Sequence, residues 1–146
     1  YMVSHKWHYK DSTYKAKNTW EETKSLSKPG SSCSHFVSWV LQEVGLLKSG
    51  KRISHDSGKV TGTSNLIGCK VIDAGKKTYS KLTDLRPADV CIWASNLAIY
   101  AGNGKWYDAG GPFSANTKNG VYINIGPVSP YYDRNTPITY LIRAKT

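Results

Sequence analysis

Cys33 stands near the front of the run Ser31-Ser32-Cys33-Ser34-His35-Phe36-Val37-Ser38-Trp39-Val40-Leu41-Gln42-Glu43-Val44-Gly45, and reactive chemistry is best argued from it. Phe36, Val37, Val40, Leu41, Val44 and Leu47 recur at helical spacing, and Pro29-Gly30 marks a turn just upstream. The pattern predicts a helix with Cys33 in its first turn. Backbone amides there lack partners and the helix dipole favours negative charge, so a thiol is biased toward the attacking thiolate. The same position also suits a small apolar residue packed under a helix start. Position alone leaves both readings open.

The histidines are the next candidates. His5 and His8 share a helical face, but no carboxylate or cysteine follows at a ligand interval, so neither a metal nor any other cofactor is expected. His35 follows Cys33 by two residues, which turns its side chain about 200° away around a helix axis. His55 sits beside Asp56, a pair that could orient an imidazole, within a stretch from Gly45 to Gly68 rich in Gly, Ser, Lys and Thr. That stretch reads as a long surface excursion with little regular structure; it could wall a groove, and nothing in it carries chemistry. Cys69 and Cys91 form no CxxC motif. In an oxidising compartment they could pair and leave Cys33 alone, but both fall in predicted strands, where buried reduced thiols are expected.

These residues need a scaffold. The 146 residues suit one domain, 1–146, with a core large enough to need no staples. Ten Tyr and five Trp against two Phe and one Met give an aromatic set with polar handles, suited to a groove for polar polymers as well as to a core. The net charge is +10, and 15 of the 20 basic residues lie in 1–86 without a block of like charge. Such a surface favours anionic polymers, or is simply a solvated basic face. No stretch is long enough to span a membrane. The chain opens at Tyr1-Met2 with no charged-then-apolar leader, as a domain trimmed from something longer would.

Helices come first. The run Asp11 to Ser27 predicts one, capped by Asp11 or Ser12, and the Cys33 helix follows. Short β-like runs then take over: Cys69–Asp73, Val90–Trp93, Leu97–Ala101, Lys105–Ala109, Val121–Ile125 and Ile138–Arg143. Gly102-Asn103-Gly104 marks a hairpin between the third and fourth. Helices followed by hairpin-linked strands predict an α+β domain, the Cys helix packed on a roughly five- to six-stranded antiparallel sheet.

Ser32-Cys33-Ser34-His35-Phe36-Val37-Ser38-Trp39-Val40-Leu41, Leu85-Arg86-Pro87-Ala88-Asp89-Val90 and Ala98-Ile99-Tyr100-Ala101-Gly102-Asn103-Gly104-Lys105-Trp106-Tyr107-Asp108-Ala109-Gly110 together resemble the NlpC-type cell-wall cysteine peptidases. The hairpin is most like that of clostridial-type wall hydrolases, and the resemblance runs from about His8 to the end. It implies a papain-like fold and a peptidase or amidase that attacks an amide of the peptidoglycan stem or cross-bridge peptides. It implies Cys33 as nucleophile and Asp108 as the group orienting a histidine base. It places Tyr9 near the oxyanion and Ser32, Ser34, Trp93, Ser95 and Trp106 along the substrate groove. The implied setting is secreted or wall-associated, of bacterial or phage origin.

The base histidine departs from the pattern. Asn96, in Ser95-Asn96-Leu97-Ala98-Ile99-Tyr100, occupies its position, and an amide takes no proton at neutral pH. Three accounts follow: an engineered knockout, a natural pseudoenzyme, or service by another histidine, His35 or His55. A second class of function therefore stands beside the hydrolase. It is a catalytically dead papain-like module, or a delivered toxin domain with an occluding inhibitory or immunity protein, that recognises an anionic polymer or a protein partner. No RNA-binding motif accompanies the basic, aromatic surface, so nucleic acid is not the expected partner.

Overall fold

The computed structural model describes residues 8–9, 14–78, 81–103, 105–107, 126–127 and 136–145. Strand β1 (His8–Tyr9) pairs in parallel with β2 (Gly30–Ser31). Between them lies helix α1 (Trp20–Lys24). Its cap is Thr19 rather than Asp11 or Ser12, which lie outside the described residues. Thr19 Oγ1 accepts the Glu22 N–H at 3.2 Å and donates to Glu22 Oε1 at 2.7 Å. The Thr19 hydroxyl thus satisfies one otherwise orphaned backbone donor, Glu22 N–H, is itself held by the Glu22 carboxylate, and fixes where the helix starts.

Helix α2 (Cys33–Glu43) follows β2 directly. Its apolar face is shorter than the sequence pattern suggests. Val37 and Leu41 are buried, Phe36 and Val40 are half-buried, and Val44 is exposed just past the helix end. Leu47 is buried, but beyond the helix. Trp39 ties the two helices together, packing 5.7 Å from Trp20 and donating Nε1–H to the Lys17 carbonyl at 3.1 Å.

The stretch Gly45–Gly68, expected to lack regular structure, contains a hairpin of β3 (Ser54–Asp56) and β4 (Lys59–Thr61) and a 3₁₀ turn (Thr63–Asn65). It also contributes Leu47 and Ile53 to the core. The polar composition concealed two well-spaced apolar anchors. Ser57 and Gly58 form the hairpin turn, both with positive φ (50° and 85°), as a two-residue turn matched to strand twist requires.

The main sheet is antiparallel, ordered β5 (Cys69–Lys77), β10 (Ile138–Ala144), β6 (Val90–Ile92), β7 (Leu97–Gly102), β8 (Lys105–Tyr107) and the two-residue edge β9 (Gly126–Pro127). The α+β reading therefore holds. The strand expected over Val121–Ile125 falls outside the described residues, as do Asp108 and Ala109. Among the described residues, no helix is long and apolar enough to cross a membrane.

Both faces of the sheet centre are buried. Val90, Ile92, Leu97 and Ile142 meet Val37, Leu41, Leu47 and Ile53 on the α2 side. Cys91, Trp93, Ala98, Tyr100, Trp106, Ile138 and Leu141 pack on the other. Burial on two sides is why Val90-Cys91-Ile92-Trp93 is a continuous apolar run instead of an alternating one. Cys69 is level with Ala144 and Cys91 with Leu141 on opposite sides of β10. A strand between them puts their Cα atoms roughly 9–10 Å apart or more, too far for a disulfide. All three cysteines are thiols.

The buried charges Asp89 and Arg143 are paired. Arg143 on β10 donates to both carboxylate oxygens of buried Asp89, at 2.9 and 2.6 Å, and to Asp84. Asp89 Oδ2 also accepts the Arg86 N–H at 2.9 Å. This network pins the loop before β6 to β10.

Candidate active site

Ser32 starts α2. Its backbone is extended (φ −132°, ψ 175°), and its hydroxyl oxygen accepts the His35 N–H at 3.3 Å. Cys33 therefore becomes the first helical residue, buried at the amide end of an 11-residue helix, as its sequence context predicts.

A polar stripe on α2 brings the rest. Ser34, Ser38 and Gln42 recur every four residues and so share one face. Gln42 Nε2 donates to the Lys51 carbonyl at 2.7 Å. Ser38 Oγ donates to the Ile53 carbonyl at 3.2 Å and accepts its N–H at 3.1 Å. Arg52 Nη2 donates to Ser34 Oγ at 2.7 Å. Residues 51–55 thus run antiparallel along the helix. Four extended residues cover roughly 13 Å, about the length of the nine helical residues from Gln42 back to Cys33. The next side chain available at that end is His55, and its Nε2 lies 3.8 Å from Cys33 Sγ.

The hairpin that carries His55 is braced at its tip. A Cβ placed on Gly58 would stand 3.1 Å from Thr139 Cγ2 and 3.8 Å from Ala94 Cα. The β3–β4 turn therefore lies against β10 and the β6–β7 turn. Asp56 does not share the face of His55, because adjacent strand residues point to opposite sides; it is exposed and accepts a bond from Ser57 Oγ at 3.4 Å.

Two further groups shape the electrostatics. His35 Nδ1 lies 2.7 Å from Ser32 Oγ and the ring packs 5.7 Å from Trp39. Burial, and then the nearby Arg52 charge, push the His35 pKa down to about 4, so it is neutral at pH 7. It holds the helix cap and carries no charge to the site. Arg52 is half-buried; burial pulls its pKa below the usual arginine value, and the charge of Cys33 partly offsets this.

The other expected site residues are distributed less evenly. Ser32 caps the helix and Ser34 holds Arg52. Tyr9 lies in β1, level with Ser31, which precedes Cys33 by two residues. Ser95 is exposed in the turn between β6 and β7. Asn96 follows it, 2% exposed, its carbonyl accepting the Trp93 N–H at 2.9 Å. Trp93 and Trp106, expected in the groove, are each 2% exposed and pack edge to face at 5.2 Å. Strand parity explains this correction: Trp93 follows Cys91 at a spacing of two and shares the sheet face opposite α2. Asp108 lies outside the described residues.

No local sequence pattern places His55 or singles out Arg52. The available signal was the Ser34-Ser38-Gln42 stripe, three polar residues at a spacing of four along α2 that needed polar partners beside them. Comparison with protein-family models, with curated proteins and with solved structures finds no match for this chain.

Proposed function

We propose that this protein is a cysteine peptidase or amidase in which Cys33 is the nucleophile and His55 the general base, acting on amide bonds of peptidoglycan stem or cross-bridge peptides. One observation carries the catalytic part: the 3.8 Å approach of His55 Nε2 to Cys33 Sγ at a helix N-terminus. The choice of substrate rests on the Cys-helix and Tyr100–Gly110 hairpin motifs that resemble the NlpC-type enzymes. In this reading the role absent at Asn96 is taken by a histidine from a different element.

The chemistry then follows. His55 accepts the Cys33 proton, and the thiolate attacks the carbonyl carbon of the amide. First-turn amides of α2 that the Ser32 cap does not take suit the developing oxyanion. The imidazolium protonates the departing amine and leaves a thioester on Cys33. Water, activated by neutral His55, releases the acyl group as a carboxylic acid and restores the thiol.

The test is digestion of purified peptidoglycan, with released amines and muropeptides read by mass spectrometry. The chain as it stands should cleave, Cys33→Ala should not, and His55→Ala should lose about 10²–10⁴-fold in rate. Cleavage only after Asn96→His would return the base to position 96 and overturn the role of His55. If neither chain cleaves, the binding-module reading replaces this one.

A further inference from the structure

Arg52 is placed differently from the other arginines with described side chains. Arg86 pairs with Asp84, and Arg143 pairs with Asp84 and Asp89. Arg52 has no carboxylate partner among the described residues. Its Nη2 donates to a neutral hydroxyl, Ser34 Oγ, and its Nε is buried with no acceptor. A guanidinium carries five donors in a planar fork, and leaving them under-used while partly out of water is costly. Ser34 is the neighbour of Cys33, and negative charge on Cys33 raises the Arg52 pKa. Neutral His35 and half-buried His55 supply no negative charge. With the cysteine protonated, the described residues around Cys33 supply a cation and no anion.

From this arrangement, and resting on the reading of Cys33 as nucleophile, we infer that Arg52 is a specificity-determining residue. It binds the carboxylate of an acyl substrate that carries a free carboxylate beside the carbonyl under attack. The fork of a guanidinium matches a carboxylate in two parallel bonds, which a lysine in the same place would not reproduce. Ser34 fixes the guanidinium from one side, so it is oriented before substrate arrives. An amide flanked by a neutral group would leave the cation uncompensated and bind less well.

Two small electrophiles separate charge recognition from thiol reactivity. Iodoacetate and iodoacetamide both place a carbon on the sulfur with loss of iodide, and only iodoacetate is an anion. Rates at Cys33 and Cys69 are read by peptide mass spectrometry on the intact folded chain. At low salt, Cys33 should react roughly tenfold faster with iodoacetate than with iodoacetamide. Arg52→Gln should abolish that preference at Cys33 and leave the ratio at Cys69 unchanged. Arg52→Lys, which keeps the charge, should retain part of it even if Arg52→Gln weakens folding. Equal ratios in the parent and Arg52→Gln proteins would overturn the role of Arg52 while leaving Cys33 as nucleophile. Loss of the preference in Arg52→Lys as well as Arg52→Gln would overturn charge as its basis. Reaction at Cys69 but not at Cys33 with either reagent would overturn the nucleophile, and the inference with it.

Discussion

Acid should loosen the end of α2 that holds Cys33, and His35 is the reason. Its folded pKa is about 4 against an ordinary 6.5, because burial and the Arg52 charge disfavour the imidazolium. Between those values the unfolded chain binds more protons than the folded one, so stability falls as pH drops from about 6.5 to 4 and levels off below. Taken at face value the shift would correspond to about 3.4 kcal/mol. The ring is partly solvated, and screening brings the expected loss nearer to about 1.5 kcal/mol. His35→Gln removes the titration and keeps the helix start, since Ser-x-x-Gln is itself a capping box. Urea unfolding at pH 7 and pH 4 measures the effect. The parent chain should lose about 1.5 kcal/mol more than His35→Gln over that interval, with carboxylate titration common to both. Equal losses in the two proteins, or a larger loss in His35→Gln, would refute the argument.

Other changes should report on the same scaffold. Arg143→Met leaves the 2%-exposed Asp89 carboxylate without its ion pair, and urea unfolding should show a loss of about 3–5 kcal/mol, with Asp89→Asn in the same chain recovering part of it. Ser38→Ala removes both bonds to Ile53; it should cost about 1–3 kcal/mol and slow alkylation of Cys33 by releasing the strand that carries His55. Gly62 has φ +81°, and a Cβ there would run into the Arg52 carbonyl oxygen. Gly62→Ala should therefore cost about 2–4 kcal/mol by thermal or urea unfolding and reduce the iodoacetate preference of Cys33.

Local rules were enough for several elements. Ser32 before an apolar-periodic run placed Cys33 at a helix start, because capping and helical periodicity act within a few residues. Val90-Cys91-Ile92, Leu97–Ala101 and Ile138–Arg143 read as strands because β-branched and apolar runs bounded by turn residues have few other outcomes. The positions of Trp93 and Trp106 did not follow from residue type, since an aromatic suits a groove and a core equally well. Strand parity against α2 decided between them, and parity has meaning only once the sheet has a defined inside face. The 3.8 Å meeting of Cys33 and His55 is likewise tertiary. It depends on Ser34, Ser38 and Gln42 binding an extended segment alongside the helix. The sequence by itself determined the helix that presents the thiol. The partner of that thiol was decided by a chain passing antiparallel across it, a long-range pairing that no local pattern around His55 encodes.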